Sequence, residues 1–323
     1  MSVLTIIPWG PLAAFGLLVA CSEHQSEPDP IASPWTAGLE MRVKDAYPRS
    51  FTNVKGQQWV IQTPPQRIAS GTLFTDVVLS VICDKNRIVA MHQVSKNPLF
   101  SPIAEFSSKF GYHLTSDPET ILAVQPDLVF LASFSDKRLD GLLSSDHRQV
   151  IRLHNLNSLA GVRESIRAVG YIVGRDRSAE DLVRQMDQRL DAVAKASASR
   201  RNWRVLSWSS GFVAGRGTIF SDVLGYVGAT NLANEFGVDG ARRIQPERLL
   251  ASQPDALVIG VAEGKQAQAR ESLLRVAVMH QVHAVRDQRI VWVPNHLLLS
   301  TTQHVAGLAE RIASQLDQWG SPR

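Results

Sequence analysis

Cysteine is scarce in this chain of 323 residues: there are two, Cys21 and Cys83. They look unrelated. Cys83 ends the apolar stretch VVLSVIC and reads as a small buried side chain. Cys21 ends the first apolar segment, LLVAC. If that cysteine is modified, Cys83 has no partner and no internal disulfide can form. Runs of like charge are missing as well. The 34 Lys and Arg and 30 Asp and Glu are scattered, and a net charge of +4 gives no nucleic-acid footprint. A long unbroken apolar run is also missing. Val3 to Ala20 is interrupted by Pro8, Gly10, Pro11 and Gly16, which argues against a stable membrane span. Catalytic signatures are absent too. Gly211-Phe-Val-Ala-Gly215-Arg-Gly217 follows a strand but has the wrong spacing for a dinucleotide fingerprint. No GxSxG elbow or convergent Ser/His/Asp set is present. The chain reads as a binding protein and not as an enzyme.

What is present starts at the N-terminus. A short start, an apolar stretch and small residues before a cut are the order of a secretory signal. Leu18-Val19-Ala20-Cys21 resembles the bacterial lipobox, although the start carries no Lys or Arg. Residues 1–21 are therefore assigned to a signal peptide with lipobox and Cys21 to lipidation. Residues 22–46, rich in Ser, Pro, Glu and Asp, read as a flexible tether. Phe51 to Ile61 alternates around Lys55-Gly56, the pattern of a small β-hairpin.

From Arg67 on, short apolar runs alternate with helix-like spacing. The runs are RIAS, RIVAMHQV, LVFLAS, QVIRLH, RVLSWSS, ALVIGV and RIVWVP. LVFLA and ALVIG lack alternation, so both faces of those strands are expected to be buried, the habit of parallel strands under helices. The fold class is α/β. Ser178 to Ala198 carries apolar residues at Ala179, Leu182, Val183, Met186, Leu190 and Val193, and predicts a long helix capped at Ser178. Val305, Leu308, Ala309, Ile312, Ala313 and Leu316 predict a closing helix. The organisation is a 47–177 N-terminal lobe with its entrance hairpin, a 178–198 inter-lobe helix, and a 199–323 C-terminal lobe with the closing helix. This length holds two domains, each with its own core.

One phrase occurs twice. Pro118 to Phe130 reads PETILAVQPDLVF and Pro246 to Val258 reads PERLLASQPDALV, identical at seven of thirteen positions. Pro118 and Pro246 fit a first helical turn. Glu119 and Glu247 follow near the positive end of the helix dipole and are expected to face solvent. Leu122 and Leu250 are expected to pack inward. Pro126 and Pro254 stop the helix, and Asp127 and Asp255 lead into a buried strand.

These features together resemble the class III periplasmic binding proteins, the solute receptors of ABC importers for iron–siderophores, haem and vitamin B12. The resemblance runs from Tyr47 to Trp319. It includes YPRSFTNVKGQQWVIQTPPQRIAS, both PE…QPD phrases, the order of the two long helices, and GTIFSDVLGYVGATNLA, where Gly228-Ala229 replaces the family's glycine pair. It implies two Rossmann-like lobes joined by one long rigid helix, with the ligand cleft between the lobes. It also implies an exported, monomeric receptor in the periplasm or cell envelope, held to the membrane by the lipid anchor on Cys21. Its partners would be an ABC permease and ATPase, with Glu119 and Glu247 docking on arginines of the permease. No intrinsic cofactor is implied; the transported ligand would contain iron or cobalt.

Ligands of such lobes bind beyond the carboxyl ends of strands. The candidates are Phe74, Phe100 and Phe134 in the N-lobe, and Trp208, Phe212, Arg216, Arg242, His296 and His304 in the C-lobe, with Arg243 beside Arg242. Aromatics suit a flat macrocycle or a catechol ring. Arginines suit carboxylates, propionates or an anionic iron chelate. His92, His296 and His304 could coordinate iron or cobalt, but show no HxxxH spacing. A free metal ion would have to use His92, His154 and His296. A lipid-anchored sensor without a transporter is a further alternative.

Overall fold

The computed structural model describes residues 47–52, 58–115, 117–144, 148–154, 156–198, 200 and 202–322. The signal peptide, Cys21, the tether and the Lys55-Gly56 turn lie outside the described residues.

An entrance hairpin pairs β1 (Arg49–Thr52) antiparallel with β2 (Gln58–Ile61). The N-lobe then runs β3 (Ile68–Ser70), α1 (Leu73–Ile82), β4 (Ile88–His92), α2 (Ala104–Ser107), β5 (His113–Leu114), α3 (Pro118–Ala123), β6 (Leu128–Ala132), α4 (Arg138–Leu143), β7 (Gln149–Leu153) and α5 (Leu159–Val173). The long helix α6 spans Asp176–Ser197. The C-lobe follows as β8 (Trp203–Ser207), β9 (Phe212–Ala214), α7 (Ile219–Val227), β10 (Ala229–Asn231), α8 (Leu232–Glu235), β11 (Ala241–Arg243), α9 (Pro246–Ser252), β12 (Ala256–Val261), α10 (Gln266–Leu274), α11 (His283–Arg286), β13 (Ile290–Pro294), α12 (Asn295–Leu298) and α13 (Val305–Trp319).

Both main sheets are parallel. The N-lobe order is β5-β4-β3-β6-β7, and the C-lobe order is β10-β8-β12-β13. In each, the lobe's first strand is central and the order reverses beside it, between β3 and β6 and between β8 and β12. Such a switch point opens a crevice at the carboxyl ends of the strands. β6 and β12 are buried along most of their length, as their unbroken apolar runs require.

The helix α6 is about 33 Å long at 1.5 Å per residue. It buries Ala179, Leu182, Val183, Met186, Leu190 and Val193, the stripe expected from their spacing. Its start differs from the sequence expectation. The helix begins at Asp176, and Ser178 lies inside it. α5 ends at Val173, and only left-handed Gly174 and Arg175 separate the two helices. Asp176 is held by Arg49 Nη1 at 2.6 Å. The corner is tight: a Cβ on Gly170 would lie 2.3 Å from the Ala179 Cβ. α6 packs on α5, α7 and α13. One continuous apolar core joins Phe130 and Ile151 of the N-lobe, through α5, α6, α7 and α13, to Val205 and Val258 of the C-lobe. Each lobe has a second cluster on its other sheet face.

The repeated phrase is a repeated staple. Asp127 accepts the backbone N–H of Gln66 at 2.6 Å and of Arg67 at 3.0 Å, and Asp255 accepts that of Arg204 at 2.8 Å. In return Arg67 donates to the Val124 and Gln125 carbonyls, and Arg204 to that of Ser252. Gln125 and Gln253 end their helices with φ near +46° and +44°. The inward residues are Ile121 and Leu249, which are fully buried. Leu122 is 38% exposed, so the expectation that it packs inward is corrected; Leu250 is half-buried and packs against the C-lobe cluster, as expected. At 100° per residue, Glu119 and Leu122 share one outer face of α3, and Glu247 is exposed at the matching place on α9.

Candidate functional site

Each lobe carries a pocket at its switch point. The N-lobe pocket, about 450 Å3, is bounded by Gly71 and Thr72 after β3, His92 and Val94 at the end of β4, and Ala132 and Phe134 at the end of β6. Ile121 of α3 forms part of its wall. Gly71 is obligatory there, because a Cβ would meet the Phe130 carbonyl oxygen at 2.6 Å. Phe134 is 92% exposed on the turn after β6. That turn is braced from β7. Arg152 donates to the carbonyls of Ala132 (2.8 Å), Ser135 (2.7 Å) and Asp136 (2.6 Å), and pairs with Asp140 at 2.7 Å. A large apolar ring is thus held in solvent on a fixed support.

Beneath this pocket lies a residue that sequence reasoning missed. Asp76 of α1 is completely buried. One carboxylate oxygen accepts the His92 backbone N–H at 2.8 Å and the Ser95 hydroxyl, while the other, Oδ1, has no partner. Burial pushes its pKa up to about 8, against the opposing hydrogen bonds. Asp76 thereby fixes the segment after β4 that carries His92 and Val94 into the pocket. A chain of hydroxyls adjoins it, with Ser70 to Thr75 at 2.6 Å and Thr75 to Thr72 at 2.8 Å. The available signal was a lone charged residue among Phe74, Val77 and Val78 in a largely apolar helix. His92 accepts the Val94 N–H on Nδ1 at 3.3 Å, and burial holds its pKa below the ordinary histidine value.

The C-lobe pocket, about 460 Å3, is bounded by Trp208 to Gly211 after β8, Arg243 of β11, Gly260 of β12 and Val276 beyond α10. Trp208 is nearly buried and belongs to the lobe's core as well as to the pocket. Phe212 is half exposed at the head of β9.

Other predicted residues fall differently. Phe74 is 3% exposed in the core shared by the lobes, because its place in α1 faces inward, and it cannot touch a ligand. Phe100 is partly exposed after β4 but does not line the N-lobe pocket. Arg216 is paired with Asp239 at 2.9 Å, which raises the guanidinium pKa and lowers that of the carboxyl. Arg242 is exposed on β11 but does not line the pocket; the neighbouring Arg243, one residue on, does. His296 on α12 and His304 before α13 line neither pocket but interact electrostatically. Burial, then His296 and Arg189, lower the His304 pKa below the ordinary histidine value. Among the described residues no group of three or more His, Cys, Asp or Glu could hold a metal ion, so the His92, His154 and His296 set is not assembled. Glu119 and Glu247 are both exposed, and neither carboxylate makes an ion pair among the described residues.

The family model described as periplasmic binding protein matches residues 68–297. The chain belongs to that family. Its members are solute-binding proteins that act outside the cytoplasm. Among the described residues no helix is long and apolar enough to cross a membrane. No curated protein matches the chain. Solved structures do. A periplasmic binding protein from Veillonella parvula is 17% identical, with a TM-score of 0.70 over 83% of this chain and 96% of that one. An Fe3+-hydroxamate transport protein from Saccharomonospora viridis is 20% identical, with a TM-score of 0.66 over 85% and 100%. The periplasmic vitamin B12 binding protein of Vibrio cholerae is 19% identical, with a TM-score of 0.63 over 79% and 98%. At these identities the likeness extends to the fold, with its two lobes of parallel sheet.

Proposed function

We propose that this periplasmic binding protein is the extracytoplasmic receptor of an ABC importer. It captures a bulky metal chelate or corrinoid between its lobes: an iron–siderophore, haem or vitamin B12. Glu119 and Glu247 present it to the permease, and a lipid on Cys21 keeps it at the membrane. The observation that carries this reading is the exposed Phe134 on its braced turn at the mouth of a strand-end pocket. It is matched in the other lobe by the half-exposed Phe212 beside the second pocket. Solvated rings on a rigid support favour a ligand with large apolar or aromatic faces, since each aromatic buries roughly 150–250 Å2 on contact. The fold relatives named for Fe3+-hydroxamate transport and vitamin B12 binding support the same ligand size.

The test is a tryptophan fluorescence titration, backed by native mass spectrometry, with ferric siderophores, haemin and cyanocobalamin. At least one is expected to bind well below about 10 μM. If none of them binds at that level, the receptor reading fails.

A further inference from the structure

We propose that Asp76 is a positioning residue of the N-lobe pocket, and that the receptor takes up a proton on this carboxyl as it captures its ligand at alkaline pH. This rests on the receptor reading above and adds a proton to what that site binds.

Asp76 lies on α1 under two walls of the pocket. The His92 N–H reaches its Oδ2 at 2.8 Å, and the Ser95 hydroxyl reaches the same oxygen. His92 and Val94 line the cavity, so this one oxygen holds the wall that follows β4. The wall that follows β3 is Gly71 and Thr72. Thr72 caps α1, its hydroxyl accepting the Thr75 N–H at 3.0 Å. The Thr75 hydroxyl bonds those of Thr72 at 2.8 Å and Ser70 at 2.6 Å. These hydroxyls are committed to one another, and Oδ1 of the buried Asp76 has no partner. A carboxylate there needs a donor. It gains one only by turning a hydroxyl out of the chain beneath Thr72, or by drawing water past the wall. Either change disturbs residues that the ligand would touch.

Among the described residues no charged side chain offsets that cost. β4 brings His92, whose Nδ1 accepts the Val94 N–H and whose pKa is lowered by burial. Lys96, on the turn that follows, is exposed. On α5 and α6, which pack against α1, Arg163 pairs with Asp187 and Arg167 with Glu180. None of these charges acts on Asp76, where burial raises the pKa to about 8 against Ser70, Ser95 and the His92 N–H. Cys83, beyond the end of α1, has its thiol pushed up by burial, and Asp136 at the pocket rim is held low by Arg138, so neither changes charge near pH 8. Much of the pocket wall is apolar, formed by Val94, Ile121, Leu131 and Leu139. A ligand seated there removes the water nearest Asp76 and makes its charged form costlier still. The carboxyl is then more basic in the complex than in the free receptor. Binding takes up a proton from solvent between those two pKa values, and affinity falls as pH rises through about 8.

The test uses the full chain with a neutral ferric trihydroxamate, cyanocobalamin and haemin as probes. Titration calorimetry from about pH 6.5 to 9.5, in buffers of differing ionisation enthalpy, counts the protons taken up on binding. Thermal melts at each pH confirm folding. For each probe that binds, wild-type affinity is expected to be level below about pH 7.5. Above about 8 it should fall by up to about tenfold per pH unit, with proton uptake rising toward one. Asp76→Asn, read on the same probe so that titration of the probe itself cancels, is expected to lose both the fall and the uptake. Asp76→Ala removes the acceptor for His92 and Ser95, and is expected to bind about tenfold or more weakly than Asp76→Asn at every pH. A wild-type affinity that is level throughout, or a proton uptake that Asp76→Asn retains, would overturn the proposal while leaving the receptor reading in place. Equal affinity of the Asn and Ala variants would remove Asp76 from the positioning role. The wild-type proton count decides by itself if a variant does not fold. Binding of no probe would overturn the receptor reading and this proposal with it.

Discussion

Asp76 shows what one buried atom can control. Folded, it keeps its proton up to about pH 8, because complete burial strips water from the charged form and outweighs its hydrogen bonds. Unfolded, a carboxyl loses its proton near pH 4. Between those values the native state binds more protons than the unfolded one, so stability falls as pH rises and levels off above about 8. Asp76→Asn keeps the shape and removes the titration. In urea melts from pH 5 to 9 it should gain on wild type by up to about 1.4 kcal/mol per pH unit, and stop gaining above about 8. A constant difference across that range would mean that Asp76 is ionised throughout. Phe134 is the opposite case. Its ring makes almost no folded-state contacts, so Phe134→Ala should shift stability by less than about 0.5 kcal/mol. The same change should weaken binding of the cognate chelate about tenfold or more, since rigid exposed aromatics concentrate binding energy. Phe74, buried in the core, is the control: alanine there should cost about 3–5 kcal/mol. The sequence placed both phenylalanines after strands, where ligands bind. It could not separate them, because one begins a helix facing the core and the other tips a turn held out by Arg152, a residue 18 positions away.

At the scale of elements, unbroken apolar runs were read well. ALVIGV became β12 residue for residue, and LVFLA became β6. Their burial on both faces leaves no other assignment for so short a segment. The short strands β5, β9, β10 and β11 left no periodic signal, being two or three residues long and fixed by neighbours distant in sequence. The start of α6 was missed because the corner is set by Gly170 against Ala179 and by Arg49 on Asp176, contacts that no local cap signal reports. In the repeated phrase the identical leucines suggested a core role. The fully buried place goes instead to Ile121 in one copy and Leu249 in the other, since apolar volume is all it requires, and of the leucine pair only Leu250 still packs on the core. The register can be checked directly. Ile121→Ala should destabilise by about 2–4 kcal/mol, and Leu122→Ala by less than about 1 kcal/mol. Denaturant midpoints at constant slope decide between them, and the reverse ranking would place the wrong face of α3 inward.

For the whole molecule, the lobes are joined by more than a linker. The shared apolar core is reinforced by Asp222 accepting the Leu159 N–H at 2.8 Å from the other lobe. Arg163 reaches Asp187 at 2.7 Å and Tyr226 at 3.0 Å, and Arg189 grips Glu310 with two bonds of 2.7 Å. Hinge closure would have to break a packed core as well as these bonds, and close-packed interiors do not deform gradually. The separation of Glu119 from Glu247 is then a fixed property of the fold, and under the proposed docking such a rigid pair of charges would select a partner whose basic groups match that spacing. Charges of this kind act chiefly on encounter and register. Glu119→Arg with Glu247→Arg should therefore abolish binding to the permease in nanodiscs and abolish uptake. Either single reversal should slow association by about tenfold or more, and the wild-type rate should fall as salt shortens the Debye length to about 8 Å at physiological strength. Chelate affinity should be unchanged in all three variants, because neither glutamate lines a pocket. Uptake that survives the double reversal would remove these two residues from the docking surface, and a matching loss of chelate affinity would mean that they hold ligand and not the permease.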